Sequence, residues 1–194
     1  GEEFCPALGV AIPVGKDSLS METRWQGQQG VKAVVSPVTL IVSAFAPVRD
    51  ANATVTPQLL PERSHVLVLL HLGGMRLGGS VLAQVYRQLG TQCPDVEDPV
   101  AFKAMLQFVL AEKRAGHIHA LHDRSDGGLL ASVLEMAFAG RCGLDIDLGV
   151  AADSLAALFN EEVGFVVQVD RDDADAFISR APCQADVIGR AVES

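Results

Sequence analysis

Beyond residue 65 the chain alternates short apolar segments with amphipathic ones, and short polar turns separate them. Residues 66–72 are almost continuously apolar, which predicts a strand buried on both faces. Further strands are predicted at 118–121, 143–148, 164–170 and 185–191. The alternation of strands with helices predicts a layered α/β domain.

The helical segments have recognisable ends. Asp98 is a predicted N-cap with Pro99 in the first helical position, and apolar residues recur at helical spacing until Gly116. A second helix is predicted after Gly128, with Gly140 at its end. The remaining predicted helices are 80–89, 153–159 and 171–180.

The first fifty residues lack the regular alternation of predicted strands and helices. An apolar segment at 9–15 has no partner element before it, which indicates that the chain is a section of something larger. Residues 34–48 are rich in β-branched side chains and predict one long strand. We therefore expect residues 1–50 to be the end of a preceding domain, 51–65 to be a linker, and 66–194 to be the main domain.

Composition and charge narrow the function classes. The 194 residues are 49% hydrophobic and 20% charged, so the chain can build a core. A net charge of −9 is the wrong sign for neutralising a nucleic-acid backbone, and no apolar run reaches membrane-spanning length. The N-terminus has no signal-peptide pattern and the four cysteines have no paired spacing. We expect a cytoplasmic protein with reduced cysteines, without nucleic-acid or membrane partners.

The turn at 122–128 carries the densest group of polar residues. Asp123 offers a carboxylate, the hard oxygen ligand that Mg²⁺ prefers, and Ser125 offers a hydroxyl to a phosphate or to the metal. Gly127 and Gly128 let the backbone approach a ligand at a helix N-terminus. A capped turn with no ligand explains the same residues, and both interpretations stay open.

Other candidate segments give weaker signals. The glycine-rich turn at 73–80 is either a phosphate cradle or a flexible turn in which Ser80 caps a helix. Lys16, beside a glycine, is a possible phosphate contact. His119 is interpreted as a packing or surface residue. His122 is interpreted as a residue that orients a ligating side chain by a hydrogen bond and does not itself touch the ligand. The acids at 161–162 could supply a carboxylate or simply be solvated charges at a helix end.

Six segments of the sequence form a recognisable set. They are IPVGKDSLSM (12–21), TPQL (56–59), LAQVYRQLG (82–90), HDRSDGGLL (122–130), EMAFAG (135–140) and LFNEE (158–162). Together, and in this order, they closely resemble the large single-chain bacterial phosphoribosylformylglycinamidine synthases. Several motifs in one order are far more specific than any one of them.

The resemblance implies an ATP-dependent glutamine amidotransferase, a ligase of de novo purine synthesis that needs Mg²⁺. It would convert formylglycinamide ribonucleotide, glutamine and ATP to formylglycinamidine ribonucleotide, ADP, phosphate and glutamate. The family has two halves, each with an N-terminal and a C-terminal domain like those of aminoimidazole ribonucleotide synthetase, and then a glutaminase domain. This chain resembles the end of the second N-terminal domain joined to the second C-terminal domain. Its implied partners are the other domains of the same polypeptide, and alone it is expected to be inactive.

The resemblance also implies roles for single residues. Asp123 matches a family acid associated with Mg²⁺, Ser125 matches a position associated with ATP or ADP, and Lys16 is implied as a nucleotide contact. The family has one catalytic and one structural nucleotide site, and these residues could serve either. Two alternatives stay open. One is a scaffold domain without a ligand, and the other is a kinase-like member of the superfamily, such as a thiamine-phosphate or selenide enzyme.

Overall fold

The computed structural model describes residues 1–15, 21–36, 40–48, 50–149 and 153–193. The chain divides into two compact units, Gly1–Asn52 and Ala53–Ser194. Lys16, implied above as a nucleotide contact, lies outside the described residues.

In the residues that the structure describes, the first unit has one short helix and one hairpin. The helix is α1 (Phe4–Leu8), and the hairpin joins β1 (Glu22–Gly27) to β2 (Gly30–Val35). These two strands pair antiparallel, from Glu22 opposite Val35 to Gly27 opposite Gly30. The predicted long strand at 34–48 is wrong, because the strand ends at Val35 and residues 40–48 have no regular structure. A β-branched composition forms a strand only where another strand is available to pair with it.

The second unit is built on a five-stranded sheet. Its strands are β3 (His65–His71), β4 (Ala120–Asp123), β5 (Gly143–Ile146), β6 (Gly164–Asp170) and β7 (Gln184–Val192). Their order across the sheet is β4-β6-β3-β7-β5, and every neighbouring pair is antiparallel. β6 therefore lies between β3 and β4, which run in the same direction as each other. The last residues of β3 and β4 therefore flank the first residues of β6. They lie along one of the two edges of the sheet that are formed by strand ends, and 'edge' has this meaning below.

The described residues of this unit form the helices α2 (Val81–Val85), α3 (Pro99–Ala115), α4 (Gly128–Gly140), α5 (Ser154–Phe159) and α6 (Ala174–Arg180), and a 3₁₀ turn at Arg171–Asp173 precedes α6. Asp98 caps α3 as predicted, and its side chain accepts hydrogen bonds from the backbone N–H groups of Val100 and Ala101. The helix predicted for 80–89 is shorter than expected: it ends at Val85, and Arg87 takes a left-handed conformation. No helix in the described ranges is long and apolar enough to cross a membrane.

The sheet separates two hydrophobic cores. Leu67 and Leu69 point to one face, where they pack with Leu129, Val133 and Met136 of α4. On the other face, Val66, Val68 and Leu70 pack with side chains of α3 and α6, including Met105, Val109 and Phe177. Both faces of β3 are buried, which confirms the prediction for this strand and the layered α/β class.

A buried glutamine attaches the segment before β3 to the sheet. Gln168 of β6 is fully buried; its Oε1 accepts from the Leu60 backbone N–H at 2.9 Å, and its Nε2 donates to the Leu60 carbonyl oxygen at 2.7 Å. Leu59 is itself part of the core beneath α4. The amide therefore replaces the backbone pairing that an extra strand would have made with Leu60.

This contact predicts the effect of Gln168→Leu. The substitution keeps the volume but leaves the partly buried N–H and C=O of Leu60 without their side-chain partners, so we expect a loss of about 1 to 3 kcal/mol in unfolding free energy. Urea denaturation followed by circular dichroism measures the loss. The matched control is Gln88→Leu at an exposed position, which should change stability by less than about 0.5 kcal/mol. Equal midpoints for the two variants would contradict the assignment.

Candidate functional site

Two glycine-containing turns lie at the same edge of the sheet. One follows β3 and the other follows β4, and both face the start of β6: His71 pairs with Gly164, and Asp123 pairs with Phe165. The loop that enters β6 carries Glu161 and Glu162. This edge therefore gathers the polar residues of three separate segments.

Glu162 binds the turn after β3 through Arg76. Its Oε1 accepts from Arg76 Nε at 2.6 Å and from the Arg76 backbone N–H at 3.2 Å, and its Oε2 accepts from Arg76 Nη2 at 2.9 Å. Arg76 also donates Nη1 to Glu97 at 2.7 Å. The side chain of Glu162 is only 2% exposed, so this fork of charge-assisted hydrogen bonds lies mostly out of water.

The pKa of Glu162 reflects two opposing causes. Burial raises the pKa of its carboxyl, but the hydrogen bonds and the charge of Arg76 outweigh burial, so the net pKa lies below the ordinary value of 4.5. The same hydrogen bond raises the pKa of Arg76. The pair therefore stays ionised at neutral pH.

Arg124 holds the backbone that leads into β6. Its Nε donates to the Glu162 carbonyl oxygen at 2.6 Å and its Nη2 to the Val163 carbonyl oxygen at 3.3 Å. The Arg124 backbone N–H donates to the Gly164 carbonyl oxygen at 2.8 Å. Burial lowers the pKa of Arg124 to about 10, so the guanidinium is still charged at neutral pH. In the turn after β4 this arginine therefore has a structural role.

Glu161 links two helix beginnings. Its Oε1 accepts from the Val81 backbone N–H at 2.8 Å and from the Gly127 backbone N–H at 2.8 Å. Val81 is the first residue of α2, and Gly127 directly precedes α4. A carboxylate at this position is stabilised by the positive ends of both helices. It joins the turn after β3 to the turn after β4.

Asp123 and Ser125 lie on either side of the buried Arg124, and both are exposed. The Asp123 side chain is 65% exposed, and its Oδ1 lies 3.5 Å from His122 Nδ1. His122 Nδ1 donates a hydrogen bond to the Asp123 carbonyl oxygen, 2.6 Å away, and His122 Nε2 lies 3.0 Å from Glu135 Oε2. The structure thus leaves the carboxylates of Asp123 and Asp126 and the hydroxyl of Ser125 facing solvent before α4.

A pocket of about 610 Å³ lies beside these turns. Its lining includes Gly73, Gly74, Arg76, Cys93, Glu97 and Glu162, and neither Asp123 nor Ser125 belongs to it. Arg76 is already paired with two carboxylates, so the pocket has no free positive charge from this residue to attract an anion. Ser80 caps α2 by accepting from the Ala83 N–H at 3.2 Å. Both observations favour the capped-turn interpretation of 73–80 over a phosphate cradle.

Sequence reasoning gave too little weight to Glu161 and Glu162 and did not identify Arg76. The hydrogen bond between Arg76 and Glu162 spans 86 positions of the sequence, which no local spacing rule connects. One signal was available: two adjacent acids directly precede the largely buried strand β6. Charges at such a position need partners.

Two family models match the chain. Residues 67–194 match the model described as AIR synthase related protein, C-terminal domain. Residues 1–47 match the model described as FGAR-AT PurM_N-like domain. The larger match includes the whole five-stranded sheet except the first residues of β3.

Solved structures from Thermotoga maritima have a similar fold. PurL complexed with FGAR gives a TM-score of 0.64 at 14% identity, covering 98% of this chain and 32% of that chain. PurLQS gives 0.62 at 16%, covering 99% and 30%. PurL complexed with ATP gives 0.55 at 17%, covering 84% and 25%. This chain spans less than a third of each, and at these identities the likeness concerns the fold.

The ion pair of Glu162 predicts a pH-dependent stability. Because the folded-state pKa lies below 4.5, the ionised carboxylate stabilises the fold above that pH, and the stabilisation is lost as the pH falls through the folded-state value. We expect Glu162→Gln to lower the urea midpoint strongly at about pH 7 and progressively less as the pH is lowered below 4.5. Glu97→Gln is the control, since its carboxylate is 76% exposed. A gap between Glu162→Gln and wild type that stays constant with pH would contradict the assignment.

Two neighbouring glycines test the packing around Glu162. Gly73 and Gly74 both have positive φ, at 86° and 81°. A Cβ on Gly74 would collide with the Glu162 carboxylate, whereas one on Gly73 would meet Gln184 Oε1 at an ordinary 3.6 Å. Gly73→Ala should therefore cost only the backbone strain, about 1 to 2 kcal/mol, and Gly74→Ala clearly more. Thermal unfolding of both variants measures the difference, and equal losses would show that Glu162 is not held in place.

Proposed function

Because this chain belongs to the AIR synthase related family through the C-terminal domain at residues 67–194, we propose that it is a section of a phosphoribosylformylglycinamidine synthase. One observation carries the proposal. The match to the FGAR-AT PurM_N-like model at residues 1–47 directly precedes the family domain in the same chain. That order fits the end of one synthetase-like N-terminal domain followed by its C-terminal domain.

The activity of the whole enzyme follows from this assignment. It would use ATP, glutamine and formylglycinamide ribonucleotide to form formylglycinamidine ribonucleotide in purine biosynthesis. Large apolar side chains of the first unit are highly exposed, among them Ile41 at 84% and Phe45 at 96%. An apolar surface of this kind fits contact with other domains of the same polypeptide.

Within this enzyme, Asp123 and Ser125 would contribute to a Mg²⁺-nucleotide site. Both are exposed at the start of α4, a helix of 13 residues. The donor set fits Mg²⁺, because this ion takes one or two carboxylates and fills its other positions with water and phosphate oxygens. When bound, Mg²⁺ would neutralise phosphate charge. Lys16, which lies outside the described residues, stays a proposed nucleotide contact.

The charges around α4 support a metal ion as part of the proposed nucleotide site. Glu161 already occupies the N–H of Gly127, and the exposed carboxylates of Asp123 and Asp126 lie in the same turn. A bare polyphosphate would be repelled by this arrangement. A divalent cation held by Asp123 would reverse the local sign, and Ser125 could then donate its hydroxyl to a phosphate oxygen.

The second candidate is a scaffold role without a ligand. It is favoured by the internal pairing of the site: Glu162 with Arg76, Arg124 with backbone carbonyls, and Glu161 with two backbone N–H groups. In this alternative the two glycine-containing turns and the loop that enters β6 only hold one another in place. Asp123 and Ser125 would then be ordinary surface residues.

Substitution of Asp123 in the complete polypeptide distinguishes the two candidates. We expect Asp123→Asn to reduce either synthase turnover or the copurified nucleotide at least tenfold, because the metal loses its charged ligand. Asp126→Asn, an exposed acid three residues further along, is the matched control and should stay within twofold of wild type. Assays of turnover and of nucleotide released on denaturation are run on the same preparations.

Each result has one interpretation. Lost turnover with nucleotide retained places Asp123 in the catalytic site, and lost nucleotide with reduced stability places it in the structural site. Wild-type turnover and nucleotide content in Asp123→Asn would overturn the ligand role and leave the scaffold.

A further inference from the structure

A cluster of two histidines and one aspartate lies at the edge of the sheet opposite the glycine turns. His65 Nε2 is 3.2 Å from Asp170 Oδ1, and His119 Nε2 is 3.3 Å from the same oxygen. The two imidazole rings lie beside each other, with centroids 4.4 Å apart and planes 32° apart. One potential ligand atom from each residue lies within 4.8 Å of the other two.

The strand order brings these residues together. His65 begins β3 and is the register partner of Asp170, which ends β6. His119 directly precedes β4, and its backbone N–H donates to the Gln168 carbonyl oxygen of β6 at 2.9 Å. Since β6 runs antiparallel to both neighbours, its last residue meets the starts of both. The cluster is about 20 Å from the glycine turns, the length of β3.

The histidine nitrogens are incompletely satisfied. In the described part of the chain, two buried side-chain polar atoms have no hydrogen-bond partner, and they are His65 Nδ1 and His119 Nε2. His119 Nε2 is close to Asp170 Oδ1 but is not aligned with it for a hydrogen bond. Buried polar atoms without partners are rare in native proteins and often mark a missing ion or water. His119 Nε2 is such an atom at the cluster, whereas the unpartnered His65 Nδ1 is not the ring nitrogen that lies near Asp170.

The distances from the two histidine nitrogens to Asp170 Oδ1 fit a metal site better than two charged hydrogen bonds. Zinc binds imidazole nitrogen and carboxylate oxygen at about 2.0 to 2.2 Å, so two ligand atoms of a tetrahedral site are about 3.3 to 3.5 Å apart. The observed distances to Asp170 Oδ1 are 3.2 and 3.3 Å. Charged hydrogen bonds to a carboxylate are typically shorter, at about 2.7 to 2.9 Å.

We propose that His65, His119 and Asp170 form a binding site for one divalent transition-metal ion, with Zn²⁺ the best match. The three side chains supply two nitrogens and one oxygen, and water takes the fourth position. His65 is the buried ligand, with 6% of its side chain exposed, whereas Asp170 is 45% exposed and opens the site to solvent. Arg171, the adjacent cation, donates its Nε to the Arg63 carbonyl oxygen at 3.2 Å. The site is independent of the proposed synthase function.

The ion would join three strands at one point. Binding only to the folded chain stabilises it by mass action, and the ligands come from β3, β6 and the residue before β4. Imidazole nitrogen selects transition metals over Mg²⁺, which prefers oxygen donors. This site therefore would not compete for the Mg²⁺ proposed at Asp123.

The test is calorimetric titration of ZnCl₂ into the metal-free, untagged chain. We expect one ion per chain, a raised melting temperature with Zn²⁺, and no saturable binding of Mg²⁺ by these three residues. Asp170→Asn and His119→Gln should each weaken Zn²⁺ binding at least tenfold. His117→Gln is the matched control, because His117 is two residues from His119 but pairs with Glu112, and its affinity should equal that of wild type.

Two further measurements keep the test decisive. Cys93 is exposed, so Cys93→Ser removes a competing thiol and should leave the affinity unchanged. Co²⁺ added to the wild-type chain should give the intense visible absorption of a four-coordinate ion, a result that does not depend on whether the variants fold. No saturable Zn²⁺ binding by wild type, or an affinity equally unaffected by Asp170→Asn and His119→Gln, would overturn the proposal.

Discussion

The antiparallel pairing of β6 with both of its neighbours is the constraint on which the rest of the structure depends. β3 and β4 run in the same direction on either side of β6. Their ends, with the two glycine turns, therefore meet the start of β6 at one edge of the sheet, and their beginnings meet its end at the other. Each edge consequently collects side chains from three segments that are far apart in sequence.

At the first edge, two adjacent carboxylates must be neutralised. A chain of net charge −9 places Glu161 and Glu162 side by side where β6 enters the sheet. Arg76 pairs with one carboxylate, and two backbone N–H groups pair with the other. This internal neutralisation offsets the cost of burial, and the solvent-facing polar groups of the turn after β4 are Asp123, Ser125 and Asp126. A polyphosphate at this edge would need a cation between itself and the carboxylates.

At the opposite edge the same topology produces a nitrogen-rich cluster. His65 and His119 approach one oxygen of Asp170. The two edges therefore differ in the metal-ligating atoms that they offer. Carboxylate and hydroxyl oxygens suit Mg²⁺, whereas imidazole suits zinc-like ions. One small domain thus presents two chemically distinct sets of donors at opposite ends of the same strands.

The sequence by itself determined the elements whose signals are local. Continuous apolar residues identified β3, and Asp98, Pro99 and Gly116 identified both ends of α3, because caps and periodicity act within a few residues. The turn at 122–128 was also recognised as a polar turn from its residues alone. The predictions of one strand over 34–48 and of a helix over the whole of 80–89 were wrong. The strand depended on pairing with another strand, and the helix on the backbone geometry near Arg87, and composition reports neither. Only the tertiary structure decided the antiparallel strand order, the pairing of Arg76 with Glu162 across 86 positions, and the meeting of His65, His119 and Asp170. These contacts are made between strands, and strand pairing is a property of the whole sheet.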